Sequence, residues 1–188
     1  MPRLRLVTPT HPAAAPLLAG LRHEYQTTYG PDVAAELDAY SEYEFFPPAG
    51  AFLVLESGGI TLAGGALRRL EPGVGEIKRM WTAPDHRGRG YSRRVLGALE
   101  AAAVRRGYHT ARLQTGTAQA AAIGLYTTSG YEPVAPWGPY VDDPRLLSYE
   151  KRLDVRDHLA TDELDHGEVI VRKMLEHHSL HARLREAA

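Results

Sequence analysis

Residues 75 to 92, Gly-Glu-Ile-Lys-Arg-Met-Trp-Thr-Ala-Pro-Asp-His-Arg-Gly-Arg-Gly-Tyr-Ser, constrain the fold more than any other stretch. The pattern predicts a strand, a short turn at Pro84 and Asp85, and a glycine-containing loop that opens a helix. Glu76 lies on the strand, and Arg87, Gly88, Arg89, Gly90, Tyr91 and Ser92 form a row of backbone N–H groups entering the helix. First-turn amides of a helix have no intrahelical partner, and the helix dipole favours negative charge there, so the row is an anion site. A carboxylate and a phosphate cradle on one connected element point to an enzyme that uses a phosphorylated cofactor. The loop lacks the Lys-Ser/Thr of a Walker A motif, and Arg93 stands where a dinucleotide fingerprint needs glycine.

The flanking chain supplies a mixed α/β layer structure. Leu4 to Val7 suits a first strand, and Thr8 or Thr10 is positioned to cap the helix that follows. Leu17, Leu18, Leu21 and Tyr25 recur at helical spacing until Gly30-Pro31. Asp32 is the expected N-cap of a second short helix carrying Val33, Leu37 and Tyr40. Three strand-like runs follow, Ala51 to Glu56, Ile60 to Leu70 and Gly75 to Thr82, with turn-rich connections that predict an antiparallel meander. Gly64-Gly65 inside the second run marks a bulge or a close backbone approach. Beyond the glycine loop, Val95, Leu96, Leu99, Ala102 and Ala103 form an apolar helical stripe that ends at Gly107. A strand over 109–115, a helix over 118–129 and a last strand pair at 131–134 and 146–153 complete the domain.

Composition narrows the function classes. The 188 residues suit one domain with a short appendage, and the formal net charge of −1 gives no electrostatic reason to expect nucleic acid or an anionic membrane. Cysteine is absent, which excludes disulfides, thiolate metal sites and a cysteine nucleophile. No run of about 18 apolar residues and no N-terminal signal segment is present, so a cytoplasmic protein is expected.

The loop resembles motif A of the GNAT acetyltransferases, Gln/Arg-x-x-Gly-x-Gly/Ala, with Arg87, Gly90 and Ser92 at the three positions. Ser92 departs from Gly/Ala but keeps its backbone N–H. Residues 117–131 resemble the family's second signature, Asn-x-x-Ala-x-x-Leu-Tyr followed by Gly-Phe/Tyr, with Gln119, Ala122 and Tyr126 in the Asn, Ala and Tyr positions. The layout matches from about residue 3 to 153. The resemblance implies an acyl-CoA N-acyltransferase fold in which the Glu76 strand and the next one splay apart around the pantetheine arm of acetyl-CoA. Met80, Trp81 and Thr82 would hold the acetyl carbonyl and pantetheine. The N–H groups from Arg87 to Ser92, helped by the charges of Arg87 and Arg89, would hold the pyrophosphate, and Gln119 would contact the pantetheine.

Direct attack of an amine on the thioester needs a deprotonated nucleophile, a polarised carbonyl and a protonated leaving thiolate. Glu76 is the expected base and Tyr126 the expected acid, since a phenol is a reasonable donor to a departing thiolate. The alternatives are a cross-strand ion pair for Glu76 and a core position for Tyr126. Tyr25, Tyr29, Arg79 and Tyr140 are candidate contacts to the acceptor, expected to be a small or amino-acid-like amine. A non-catalytic acyl-CoA-binding module and a protein or peptide N-acetyltransferase are the rival functions.

Residues 154–188 differ in character, acidic first and then basic and histidine-rich, and a helical extension is expected there. His177 and His181 stand four apart, a spacing that can hold zinc, but no H-E-x-x-H pattern surrounds them. No metal is expected. A solvated helix near a terminus accounts for them more simply, and docking of the tail on the domain or on a second subunit is favoured over a metal site, so a homodimer stays open.

Overall fold

The computed structural model describes residues 1–154. The expected extension and its histidines therefore lie, apart from Asp154, outside the described residues. Seven strands form one sheet: β1 (Arg3–Val7), β2 (Ala51–Ser57), β3 (Ile60–Glu71), β4 (Val74–Thr82), β5 (Thr110–Gly116), β6 (Glu132–Pro133) and β7 (Leu146–Arg152). Their order across the sheet is β1-β2-β3-β4-β5-β7-β6. The helices are α1 (Ala15–Tyr29), the single turn α2 (Pro31–Ala34), α3 (Tyr91–Arg105) and α4 (Ala120–Thr127). Every strand pair is antiparallel except β4 with β5, whose parallel pairing requires the crossover that α3 supplies.

The meander follows from its turns. Gly58 and Gly59 have φ of 57° and 78°, the pair of left-handed residues that a two-residue hairpin needs, and Ser57 pairs with Ile60 across them. Strand β2 is buried on both faces, which explains its continuous apolar run. Leu53 and Leu55 pack with Ile77, Leu113 and the α3 stripe of Val95, Leu96 and Leu99. Phe52 and Val54 point the other way, to Leu17 and Leu21 of α1 and to Phe45 and Trp81.

One irregularity shapes the centre of the sheet. Gly64 pairs with Trp81 and Ala66 with Lys78, so Arg79 and Met80 on β4 stand opposite the single residue Gly65. Arg79 has φ of 57°, left-handed for a non-glycine residue, at a cost of roughly 1–2 kcal/mol. A Cβ at position 65 would come within 2.5 Å of Met80 Sδ and 2.9 Å of Leu99 Cδ1, so glycine there admits the bulged Met80. Of the two readings of Gly64-Gly65, the bulge is present, with its extra residue on the facing strand β4, and what approaches Gly65 is side chain rather than backbone. The bulge sharpens the local twist, and beyond it the parallel pair comes apart. Strands β4 and β5 pair from Val74↔Thr110 to Ile77↔Leu113 and no further. Yet β4 stays on β3 as far as Thr82, and β5 stays on β7 as far as Gly116.

Two details near the N-terminus differ from the sequence expectation. His11, not Thr8 or Thr10, caps the first turn: its Nδ1 accepts the Ala13 N–H at 3.1 Å, while the two threonine hydroxyls bond each other at 3.1 Å. Asp32 falls inside α2 rather than before it. Proline suits the first helical position because its fixed φ is helical and its missing N–H would have no partner there, so α2 starts at Pro31.

Candidate active site

The splay of β4 from β5 opens a cavity of about 550 Å³. Met80, Trp81 and Thr82 line it from β4, His86, Arg87, Gly88 and Gly90 from the loop, and Tyr91 and Ser92 from the start of α3. Gln119, Leu125 and Tyr126 close it from the α4 side, with Leu21, Glu24 and Thr28 of α1 opposite. Gly88 and Gly90, with φ of 72° and 77°, bend the chain so that α3 begins at Tyr91. Gly90 brings no capping side chain, so the first-turn amides of α3 are available to an anion. A Cβ at position 90 would have no atom within 4 Å, so the cradle is open there.

The loop arginines are held by the protein. Arg87 donates Nε to the Thr82 carbonyl at 3.1 Å and pairs with Glu24 through its terminal nitrogen. Arg89 donates to the Asp85 carbonyl at 3.2 Å and is not part of the cavity wall. Sequence reading missed Glu24, Thr28 and His86. Leu21, Glu24 and Thr28 are spaced three and four apart, so they share one face of α1, a signal that was present in the chain. The Nδ1 of His86 is buried and has no hydrogen-bond partner among the described residues.

Tyr126 is 5% exposed and packs its ring on Tyr131 and Tyr149, with centroids 5.8 and 6.5 Å away. Burial pushes its phenol well above the usual range. Gln119 occupies the N-cap position of α4 and accepts the Thr115 hydroxyl at 2.6 Å through its side-chain oxygen.

Gln119 also lines a second cavity of about 250 Å³, which lies beside the open ends of β4 and β5. Its wall includes Tyr25 and Tyr29 of α1, Val33 of α2, Lys78 and Arg79 of β4, Gln114 to Gly116 of β5, Asp143 and Arg145 before β7, and Leu146 at its start. Tyr25 and Tyr29 meet edge to face at 6.4 Å. Burial raises the Tyr29 pKa against smaller opposing effects of the Ala118 backbone and Arg145. Its hydroxyl is enclosed and has no partner in hydrogen-bond geometry among the described residues. That oxygen sits where a Cβ on residue 116 would be, so Gly116 is what makes room for it.

Three of the candidate acceptor contacts, Tyr25, Tyr29 and Arg79, thus come together on one wall. The side chain of Tyr140 lies outside the described set. The Arg79 guanidinium is turned away, donating to the Leu37 carbonyl at 2.8 Å and lying 4.1 Å from the centre of the Phe45 ring.

Glu76 is placed differently from the other candidates. It is 1% exposed and lines neither cavity. Arg68, its cross-strand partner, donates Nε to it at 2.6 Å, and Lys78 Nζ lies 3.7 Å away. Arg68 also reaches Glu44 at 2.6 Å and stacks 4.3 Å over Tyr40. Burial works against the Arg68 charge, but Glu76 and Glu44 outweigh it and hold the guanidinium above its ordinary pKa. Glu76 is thus the centre of a buried ion-pair cluster next to the second cavity.

Comparison with known proteins agrees with this architecture. The Acetyltransferase (GNAT) family pattern matches residues 18–131, more than half of the chain. An IAA acetyltransferase from Azospirillum brasilense is 40% identical over 103 residues, which span 54% of this chain and 67% of that protein. A crystal structure described as an acyl-CoA N-acyltransferase, from Klebsiella pneumoniae, superposes with a TM-score of 0.69 at 34% identity, covering 82% of this chain and 99% of that one. A Salmonella typhimurium structure containing its cofactor acetyl-CoA shares the fold, with a TM-score of 0.62 at 20% identity over 82% of this chain and 95% of that one. Together with the two sequence signatures and the splayed sheet, these matches show that the chain belongs to the GNAT family of acetyltransferases.

Proposed function

We propose that the chain transfers an acetyl group from acetyl-CoA to the amine of a small molecule by direct attack with both substrates bound. The observation that carries this reading is the meeting of two cavities at the β4/β5 splay, with Gln119 in the wall of both and Tyr126 in the wall of the first. The residues present fit acetyl-CoA. The strand edges that part after Ile77 and Leu113 leave backbone groups for an extended pantetheine, and the uncapped amides from Gly88 to Ser92 suit its pyrophosphate. When bound, the cofactor supplies the activated acetyl thioester.

The chain's own groups do the rest. Backbone groups of Met80 to Thr82 orient the acetyl carbonyl. Tyr126 holds a proton for the departing sulfur, and burial keeps it in the neutral, donating form. The second cavity receives the acceptor. Its small volume lies below the usual range for ligand sites of about 300–1,000 Å³, which favours a small molecule over a peptide tail. Glu76 enters as a positioning group acting through Lys78. Among the described residues, the carboxylates that line the cavities, Glu24 and Asp143, and Glu76 beside the second are each already bound by an arginine: Glu24 by Arg87, Asp143 by Arg145 and Glu76 by Arg68. The ionisation of the acceptor amine itself then sets the low-pH limb of the rate.

The direct test is thiol release from acetyl-CoA over a panel of amines. Tight cofactor binding without amine-dependent release would replace this reading with that of a non-catalytic acyl-CoA-binding module. Two substitutions probe the cavities separately. Gly90→Asp places a carboxylate at the cradle and should weaken acetyl-CoA binding by about tenfold or more; calorimetry showing equal affinity would mean that the cradle is elsewhere. Gly116→Ala displaces the Tyr29 hydroxyl, an overpacking cost of about 1–3 kcal/mol. It should raise the acceptor KM by about tenfold with cofactor affinity retained. An unchanged acceptor KM would move the acceptor site away from this cavity.

A further inference from the structure

The first cavity has little side-chain charge to offer an anion. Among the described residues that line it, Arg87 is the one arginine or lysine and Glu24 the one aspartate or glutamate, and the two are joined. The other basic group of the wall is the His86 imidazole, whose Nδ1 is buried. Arg89, the second loop arginine, lies off the wall and donates to the Asp85 carbonyl at 3.2 Å. Attraction for a doubly charged pyrophosphate therefore comes chiefly from the uncapped amides at the start of α3, while the arginine and the carboxylate of the wall offset each other.

The fold does not need Glu24 at this place. Leu17 and Leu21, 0% and 2% exposed, seat α1 against Phe52, Val54 and Trp81. The Arg87 and Glu24 side chains are 53% and 35% exposed, and ion pairs at such exposure add little stability. Arg87 is also fixed to the end of β4 through its Nε on the Thr82 carbonyl at 3.1 Å, so its guanidinium stays beside the cradle without Glu24. What Glu24 does supply is negative charge in the wall of a cavity that suits a diphosphate. A carboxylate there repels phosphate directly and offsets the pull of Arg87 on it, and both effects weaken binding.

We propose that Glu24 is an affinity-setting residue, which holds down the binding of acetyl-CoA and of the product CoA through their shared pyrophosphate. This rests on the first cavity being the acyl-CoA site, with its cradle at Gly88 to Ser92. The backbone amides fix where the pyrophosphate is held, and the Glu24–Arg87 pair tunes how strongly. Acetyl transfer leaves the pyrophosphate unchanged, so a cradle tuned only for tight binding would retain the product, and product release sets the turnover of many enzymes.

The test is calorimetric titration of the full chain with CoA and with pantetheine, which lacks the pyrophosphate. Glu24→Gln should bind CoA about fivefold more tightly and leave pantetheine affinity within about twofold. Glu24→Asp keeps the charge and should stay within about twofold of wild type for both. The gain in Glu24→Gln should shrink as ionic strength rises from about 0.01 to about 1 M, because exposed charges are then screened. A Glu24→Gln variant that binds CoA no more tightly than wild type, while Gly90→Asp still weakens binding, overturns the inference and leaves the cradle standing. An equal gain for pantetheine, or an equal gain in Glu24→Asp, also overturns it, because packing and not charge would then be the cause. CoA affinity unmoved by both Glu24→Gln and Gly90→Asp removes the acyl-CoA assignment of the cavity and the inference with it. The titration needs no acceptor, so a lack of thiol release counts against the transferase reading alone.

Discussion

Tyr126→Phe is expected to lower kcat by about a hundredfold while acetyl-CoA affinity stays within about twofold. The substitution keeps the ring and its contacts with Tyr131 and Tyr149, so the buried packing survives and only the O–H is lost. What the reaction loses is a donor to sulfur as negative charge develops there, an interaction made chiefly in the transition state. Such an interaction appears in kcat rather than in binding. A thioester with a more acidic thiol needs less help in leaving, so it should narrow the gap between variant and wild type. Steady-state kinetics with both thioesters provides the check, and a variant within about threefold of wild type with acetyl-CoA would remove Tyr126 from the chemistry.

The same burial makes a statement about pH. The folded-state pKa of Tyr126 is raised, so its neutral form contributes stability that is fully present below the unfolded value of about 10 and is lost as pH rises through the raised folded value. Tyr126 therefore stays protonated throughout the neutral range, and the wild-type rate should show no limb from it there.

The second large effect is expected at Glu76 and is one of stability. Glu76→Ala should destabilise the fold by about 3 kcal/mol, the lower end of the range for removing one partner of a buried ion pair. The lower end applies because Arg68 keeps Glu44, a more exposed carboxylate. Glu76→Gln retains a hydrogen-bond acceptor and should cost about 1–2 kcal/mol. Urea unfolding midpoints measure both. With Glu76 acting through Lys78 rather than on the amine, the Gln variant should also keep the shape of the wild-type pH–rate profile. A variant of near-native stability that loses its rate selectively at low pH would return Glu76 to the role of general base.

Much of the fold was legible in the chain. The α3 stripe, the meander and the Gly64-Gly65 irregularity each express a local rule: a period of 3.6 or 2, or a backbone position that tolerates no side chain. The phosphate cradle belongs to the same class, because left-handed Gly88 and Gly90 followed by a helix start are consecutive residues. Tyr25 and Tyr29 were lining candidates because the family resemblance implies an acceptor bound against the first two helices. The expectations that failed, threonine capping before α1 and Asp32 as an N-cap, were choices between neighbours, where His11 and Pro31 compete for the same local geometry.

What only the tertiary structure decided is how residues 75 to 92 are divided between chemistry and scaffolding. The strand, the loop and the anion-binding helix start are properties of contiguous backbone, so the sequence determined them. Whether Glu76 faces a substrate or a cation depends on Arg68, which reaches it only through the β3–β4 register, and on Glu44, which a separate segment brings to Arg68. The first cavity likewise exists because a bulge on β4 meets Gly65 and the parallel pairing then ends. A carboxylate's availability is set by the charges and water around it, and those come from residues far apart in the chain that meet only when it folds.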